Sequence, residues 1–130
     1  MRSTLAGCAL ATVAAAACMH ASTGPIPLRC DRACLENVVN QYLAALAARD
    51  PKRLPLSADV RYTENDQLMS VGDGFWKTVE SAGNYKHIFA DPEAAQVVFM
   101  GTTHEAGTPL LMSLRLRIQL GRITEIESIY

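Results

Sequence analysis

Two residues in this chain could do chemistry from within the fold. In NQYLAALAARD, residues 40–50, Tyr42 interrupts what is otherwise the apolar face of a helix. A leucine would pack as well and leave no hydroxyl to satisfy, so the ring faces either plain core or a cavity that uses the phenol. In VRYTEN, residues 60–65, Glu64 shares a face with Val60 and Tyr62 under the two-residue period of a strand. That face should look inward, toward Met112, Leu114 and Trp76. A carboxylate there loses solvation, which disfavours its charged form and suits proton transfer near neutral pH.

Each residue also has a plainer reading. Tyr42 can be a core tyrosine whose hydroxyl is satisfied at the rim. Glu64 can be a strand-end carboxylate that reaches solvent or pairs with Arg61 or Lys86, since the turn NDQ begins just after it. His87 falls on one face with Tyr85 and Phe89, as a second acid–base group or as a satisfied structural histidine. Trp76 is pocket wall or core. Asp91 before Pro92 reads as a turn former, and His104 beside EAGTP as an exposed residue. The chain holds no Ser-His-Asp spacing, and GDG is too short for a phosphate loop. QVVFMG, residues 96–101, suggests the loop of a cystatin-type inhibitor, but its glycine comes one residue late and the run reads as strand interior.

Around these residues the periodicity defines the elements. Asp31 caps a helix running to about Ala48, with Leu35, Val38, Val39, Tyr42, Leu43 and Leu46 in one stripe. Asp50-Pro51 ends it, and PKRL makes a short second turn before Pro55. Strands are expected at 60–65, 68–71, 85–89, 95–104, 110–120 and 122–130. A helix FWKTVES, opened by GDG and closed by Gly83, comes before the third of them. Leu110, Met112, Leu114, Leu116 and Ile118 alternate with Ser113, Arg115, Arg117 and Gln119, as in an antiparallel sheet covered on one face. A hairpin at QLGR with a three-residue loop sets Arg117 opposite Glu125 and Arg115 opposite Glu127. The polar face is then solvent or a dimer contact. Helices first, then a strongly curved antiparallel sheet, make an α+β domain.

The first 21 residues read as a secretory signal: Arg2, then an apolar run from Leu5 to about Cys18, with a cut near Ala21. The run is too short to span a membrane. A lipoprotein signal with lipid on Cys18 is the alternative. Residues 22–29 form a proline-punctuated leader, and residues 30–130 a single domain. The full chain has a formal charge of −1, without the clustered Lys and Arg of a nucleic-acid surface. In an oxidising compartment Cys30 and Cys34 form an even pair at helical i, i+4 spacing, a disulfide if the first turn loosens. A metal site lacks a further Cys or His cluster to complete four ligands.

ALAARDP, RLPL, VRYTEN, GDGFW, FADPEAAQVVF, RLRI and GRITEIE together resemble the nuclear-transport-factor-2-like superfamily over Cys30 to Tyr130. The similarity is greatest to a secreted branch without known activity, with distant similarity to ketosteroid isomerases and SnoaL-like pocket proteins. It implies a cone: a cystatin-like roll in which a curved sheet wraps the N-terminal helices around an apolar pocket. It also implies that Tyr42 donates a hydrogen bond to a developing oxyanion and that Glu64 is the general base. Ketosteroid isomerases add a second, protonated acid on a late strand. Here Leu114 and its neighbours occupy that region, and the segment from Tyr42 to Glu64 is shorter, so steroid isomerisation is not expected.

The expectation is therefore a secreted or periplasmic domain that binds a small, largely apolar molecule. Glu64 and Tyr42 would be the catalytic pair of a cofactor-free and metal-free isomerase, dehydratase or cyclase. Tyr62, Trp76, His87, Met112 and Leu114 would line the pocket. The rival is a non-catalytic ligand-binding domain, or a homodimeric interaction domain whose pocket is filled by side chains.

Overall fold

The computed structural model describes residues 24–130. The expected signal segment, with Cys8 and Cys18, lies outside the described residues. The Asp31 carboxylate accepts the Cys34 N–H at 2.9 Å and so starts helix α1, Arg32–Ala47. Cys30 and Cys34 are disulfide-bonded across that first turn, with Cα atoms 5.2 Å apart. The stripe Leu35, Val38, Val39, Tyr42, Leu43 and Leu46 is buried, joined by Ala45. Arg49 turns into the left-handed region (φ 54°), and a 3₁₀ turn, Pro51–Arg53, follows.

Six strands form one curved sheet around α1: β1 Leu56–Glu64, β2 Gln67–Met69, β3 Val79–Asp91, β4 Gln96–Glu105, β5 Thr108–Gln119 and β6 Arg122–Ile129, in the order β2-β1-β6-β5-β4-β3. The inner face of β5 is the core, as its alternation requires: Met112, Leu114, Leu116 and Ile118 are all buried. They pack with Val97 and Phe99 of β4, Ile123 and Ile126 of β6 and the α1 stripe. Burial of this apolar surface, at about 25 cal/mol per Å², is the main stabilising contribution. Ile26 in the leader joins the core, its carbonyl lying against Gly121. Among the described residues no helix is long and apolar enough to cross a membrane.

The fold differs from the sequence reading in the direction of one strand pair, in the second helix and in the last hairpin. The sheet is not wholly antiparallel, because β1 runs parallel to β6, with Tyr62 opposite Ile126. The second helix, α2, is only Phe75–Thr78. β-Branched Val79 begins β3, and Gly83 lies inside that strand, where a Cβ would collide with Thr102 of β4. The β5–β6 loop is shorter than expected: Leu120 and Gly121, both at positive φ, form a two-residue turn. A bulge at Thr124 then restores Arg117 opposite Glu125 and Arg115 opposite Glu127.

The disulfide closes a very short loop, so chain entropy limits its contribution to about 2 kcal/mol. Replacing Cys30 and Cys34 by serine should leave the circular dichroism spectrum unchanged and lower Tm by roughly 10 °C. An unchanged melting curve would show that the bond does not form in the folded protein.

Candidate functional site

Tyr42 sits in the sheet-facing stripe of α1 with no exposed surface. Its ring meets that of Trp76 edge-on, centroids 5.3 Å apart and planes at 76°. The indole lies close to the phenol oxygen, yet neither the Tyr42 hydroxyl nor Trp76 Nε1 completes a hydrogen bond. Thr103, on the inner face of β4, also keeps a buried hydroxyl without a partner. Each such group costs about 1–3 kcal/mol relative to a satisfied one.

Glu64 ends β1 with its side chain turned inward, only 8% exposed. It neither reaches solvent nor pairs with Arg61 or Lys86: Arg61 pairs with Glu127, and Lys86 donates to Asn40 at 2.8 Å. Instead the Tyr62 hydroxyl donates a short hydrogen bond to Oε2. The Phe75 N–H donates to both oxygens, at 3.2 Å to Oε1 and 3.0 Å to Oε2. Gly74 makes this approach feasible. Its φ is +59°, and a Cβ there would collide with both carboxylate oxygens. A buried carboxylate needs this cradle, since a charge taken from water without donors is strongly destabilising.

Tyr130 closes the group. Its ring packs against Phe75 with centroids 4.3 Å apart, and its N–H donates to Asn65 Oδ1 at 3.1 Å. Burial, then the adjacent Glu64 carboxylate, push its phenol up. The same two causes, in the same order, raise Tyr62. Tyr42 is raised by burial first, then by Tyr62, with the nearby Trp76 indole opposing and Glu64 and Tyr130 adding to the rise. The four side chains therefore share one electrostatic neighbourhood.

Sequence reasoning missed three parts of this site: Tyr130, the Phe75 amide and Gly74. Tyr130 had a readable signal, because it continues the inward alternation of Ile126 and Ser128. The other two are backbone features, with no signal beyond GDG beside FW. Met112 and Leu114 are buried on the inner face of β5, and Tyr62 and Trp76 are buried beside Tyr42 and Glu64. His87 requires a correction. It is exposed on the outer face of β3, its ring between those of Tyr85 and Phe89 at 5.0 and 6.4 Å. His87 pairs with Met100 of β4, whose side chain is also exposed, while the inward positions belong to Ala90 and Val97, so His87 lines no interior pocket.

The interior is occupied by side chains: Tyr42, Tyr62, Trp76, Phe99, Met112 and Leu114 are all fully buried. Hollows of the described chain lie elsewhere. One of about 320 Å³ is bounded by Gly24, Gln41, Ala45, Lys52 and Leu54, and one of about 420 Å³ by Leu28, Cys30, Pro92 and Ile118. Neither touches Tyr42, Glu64 or Trp76. Among the described residues no group of three or more His, Cys, Asp or Glu is placed to hold a metal ion.

With this geometry in hand, solved structures supply the comparison. A protein of unknown function with a cystatin-like fold from Methylobium petroleophilum is similar at TM-score 0.64, with 16% identity and 78% of each chain covered. An NTF2-like protein of unknown function from Cytophaga hutchinsonii is similar at 0.58, with 12% identity, over 72% of this chain and 87% of its own. This chain has the nuclear-transport-factor-2-like fold. Another protein of that architecture, from Catenulispora acidiphila, has a ketosteroid isomerase-like fold in complex with trimethylamine. It is similar at 0.51, with 18% identity, over 72% of this chain and 84% of its own. Comparison of the sequence with protein-family models and curated proteins finds no match. At these identities the likeness concerns the fold alone.

The raised phenols of this nuclear-transport-factor-2-like core have a consequence for alkaline stability. An unfolded tyrosine ionises near pH 10, whereas Tyr42, Tyr62 and Tyr130 in the folded state hold their protons to higher pH. Their contribution is complete below pH 10 and is lost as pH rises from there toward the folded values. Phenolate absorbance from these three should therefore appear together with loss of the circular dichroism signal. Its appearance well before unfolding would contradict the burial of Tyr42 and Tyr62.

Proposed function

We propose that this is an exported domain that admits a small, largely apolar molecule bearing a carbonyl-type oxygen into the cone interior. The observation that carries the proposal is the Tyr42 hydroxyl: fully buried, without an acceptor, and next to the buried carboxylate of Glu64. Phenylalanine would fill the same space without leaving an unpaired donor. A retained cost of this kind is expected where binding needs the group. Tyr62, Met112 and Leu114 are the fixed walls, and Trp76 covers the space from α2. The Cys30–Cys34 bond supports an oxidising compartment, in keeping with the signal-like first 21 residues. The Catenulispora acidiphila protein, which holds trimethylamine, supports ligand binding within this fold.

The chemistry open to such a site is proton transfer. Glu64 takes a proton from the carbon next to the carbonyl, and the electron pair moves onto the oxygen. Tyr42 donates its hydrogen bond to that oxygen as the charge develops. Return of that proton from Glu64 to another carbon completes an isomerisation, and its transfer from Glu64 to a departing β-hydroxyl, which leaves as water, completes a dehydration. Both balance without an external oxidant or reductant.

Prodan, a fluorescent naphthyl ketone, tests the reading. Wild-type protein should bind it with a blue shift in emission, and Tyr42→Phe should weaken binding about tenfold, or about 1.4 kcal/mol. The same substitution should raise stability to unfolding by about 1 kcal/mol, because it deletes an unsatisfied hydroxyl. A variant that binds prodan equally well, or a wild type that binds none, would sink the proposal.

A second reading rests on the outer sheet face. Tyr85, Phe89 and Met100 are 55%, 58% and 44% exposed on β3 and β4, and Leu111 and Ile129 are exposed on β5 and β6. An interaction domain would use this surface, with a second copy as partner. Light scattering should then show a dimer that Phe89→Arg converts to monomer. A monomer at every practical concentration would leave this face without that role.

A further inference from the structure

We propose that the segment Ser70–Thr78 is a gate, with Phe75 and Trp76 as a plug that fills the ligand space and Glu64 as the latch that holds it shut. The inference rests on the small-molecule reading above and says how that site is reached.

The first support is the hydrogen-bonding pattern. Within Ser70–Thr78 the bonds are local: Asp73 N–H to Ser70 O, Trp76 N–H to Asp73 O, Lys77 N–H to Gly74 O and Thr78 Oγ1 to Phe75 O. Lys77 also pairs with Asp73 inside the segment. Among the described residues a single polar tie joins the segment to the rest of the molecule, the Phe75 N–H bound by Glu64. Its other holds are apolar or aromatic: Phe75 against Tyr130, Trp76 against Tyr42, and Val71 against the core.

The second support is where the chain can pivot. Gly72 and Gly74 stand at φ +101° and +59°, a region that other residues rarely adopt. They bracket Asp73 immediately before the plug. Beyond it, Val79 is fixed as the start of β3, its carbonyl accepting from Arg49 Nε at 2.8 Å. A short segment with flexible residues at one end and an anchored strand at the other is a hinge-and-lid arrangement.

The third support is that the closed state is incompletely satisfied. The plug brings Trp76 Nε1 against the Tyr42 hydroxyl, and both remain without partners. Opening exposes the two donors to water or to a ligand oxygen. It also releases the carboxylate oxygens of Glu64 from the Phe75 amide. Glu64 thus has two roles in sequence: latch when the gate is shut, base when it is open. Two aromatic side chains leaving the interior vacate a space near the lower end of ligand pockets, roughly 300 Å³.

Amide hydrogen exchange on the full wild-type domain, followed residue by residue by NMR, tests this. Phe75 and Trp76 should exchange at least about 100-fold faster than core-strand amides such as Leu116, and without the denaturant dependence of global unfolding. Glu64→Gln should speed their exchange further and raise the association rate of prodan. Exchange of Phe75 and Trp76 at the global rate overturns the gate, even if prodan binds and the small-molecule reading survives. Fast local exchange with no prodan binding upholds the gate as a moving element and defeats the small-molecule reading instead. Because the wild-type measurement decides the matter, the test holds even if Glu64→Gln fails to fold.

Discussion

One buried carboxylate organises the end of the cone where the site lies. Glu64 is withdrawn from water at the end of β1 and must be met by donors. The fold answers with a phenol two residues earlier on the same strand face and a backbone amide from α2. The C-terminal phenol beside it completes the enclosure. Strand, turn and C-terminus are thereby tied to one charge. Gly74 follows from the same constraint, because no side chain fits between the turn and the carboxylate.

The outer sheet face uses charge differently. Arg115 reaches Gln96 on β4 and Glu125 and Glu127 on β6, and Arg117 shares Glu125. Glu127 and Glu125 hold the Arg115 guanidinium protonated, and Arg115 keeps both carboxyls below their ordinary range. These groups stay partly in water, so each pair adds little to stability. What the network adds is register: a shift of one residue along β5 would turn both arginines into the core. The inner charge is costly and enclosed, whereas the outer ones are cheap and repeated.

Between these faces lies a balance of packing and polarity. A filled aromatic interior stabilises the fold, while unsatisfied donors on Tyr42, Trp76 and Thr103 work against it. An interior optimised for stability alone would carry apolar residues at these positions. The Tyr42 hydroxyl, near the cradled carboxylate and covered by a segment held by one polar tie, is what the proposed closed binding site accounts for.

Much of this was legible in one dimension, because it depends on local periodicity. The α1 stripe, the cap at Asp31, the alternation of β5 and the Arg115–Glu127 and Arg117–Glu125 pairing each follow from spacing along one or two adjacent segments. The inward placement of Tyr42 and Glu64 follows in the same way. The length of α2 did not, since FWKTVES satisfies a helical pattern until pairing with β4 draws Val79 onward into a strand. His87 was misplaced because Tyr85–Phe89 alternates equally well with either face inward, and pairing with β4 puts Ala90 inside and His87 outside. The sequence by itself determined the buried stripes of α1 and β5 and the pairing of β5 with β6, but not the parallel pairing of β1 with β6. Only the tertiary structure decided what would surround Glu64, because beyond the Tyr62 hydroxyl its neighbours are a backbone amide 11 residues away and the ring of Tyr130. Such distant groups meet only when the whole sheet has curved around the helix.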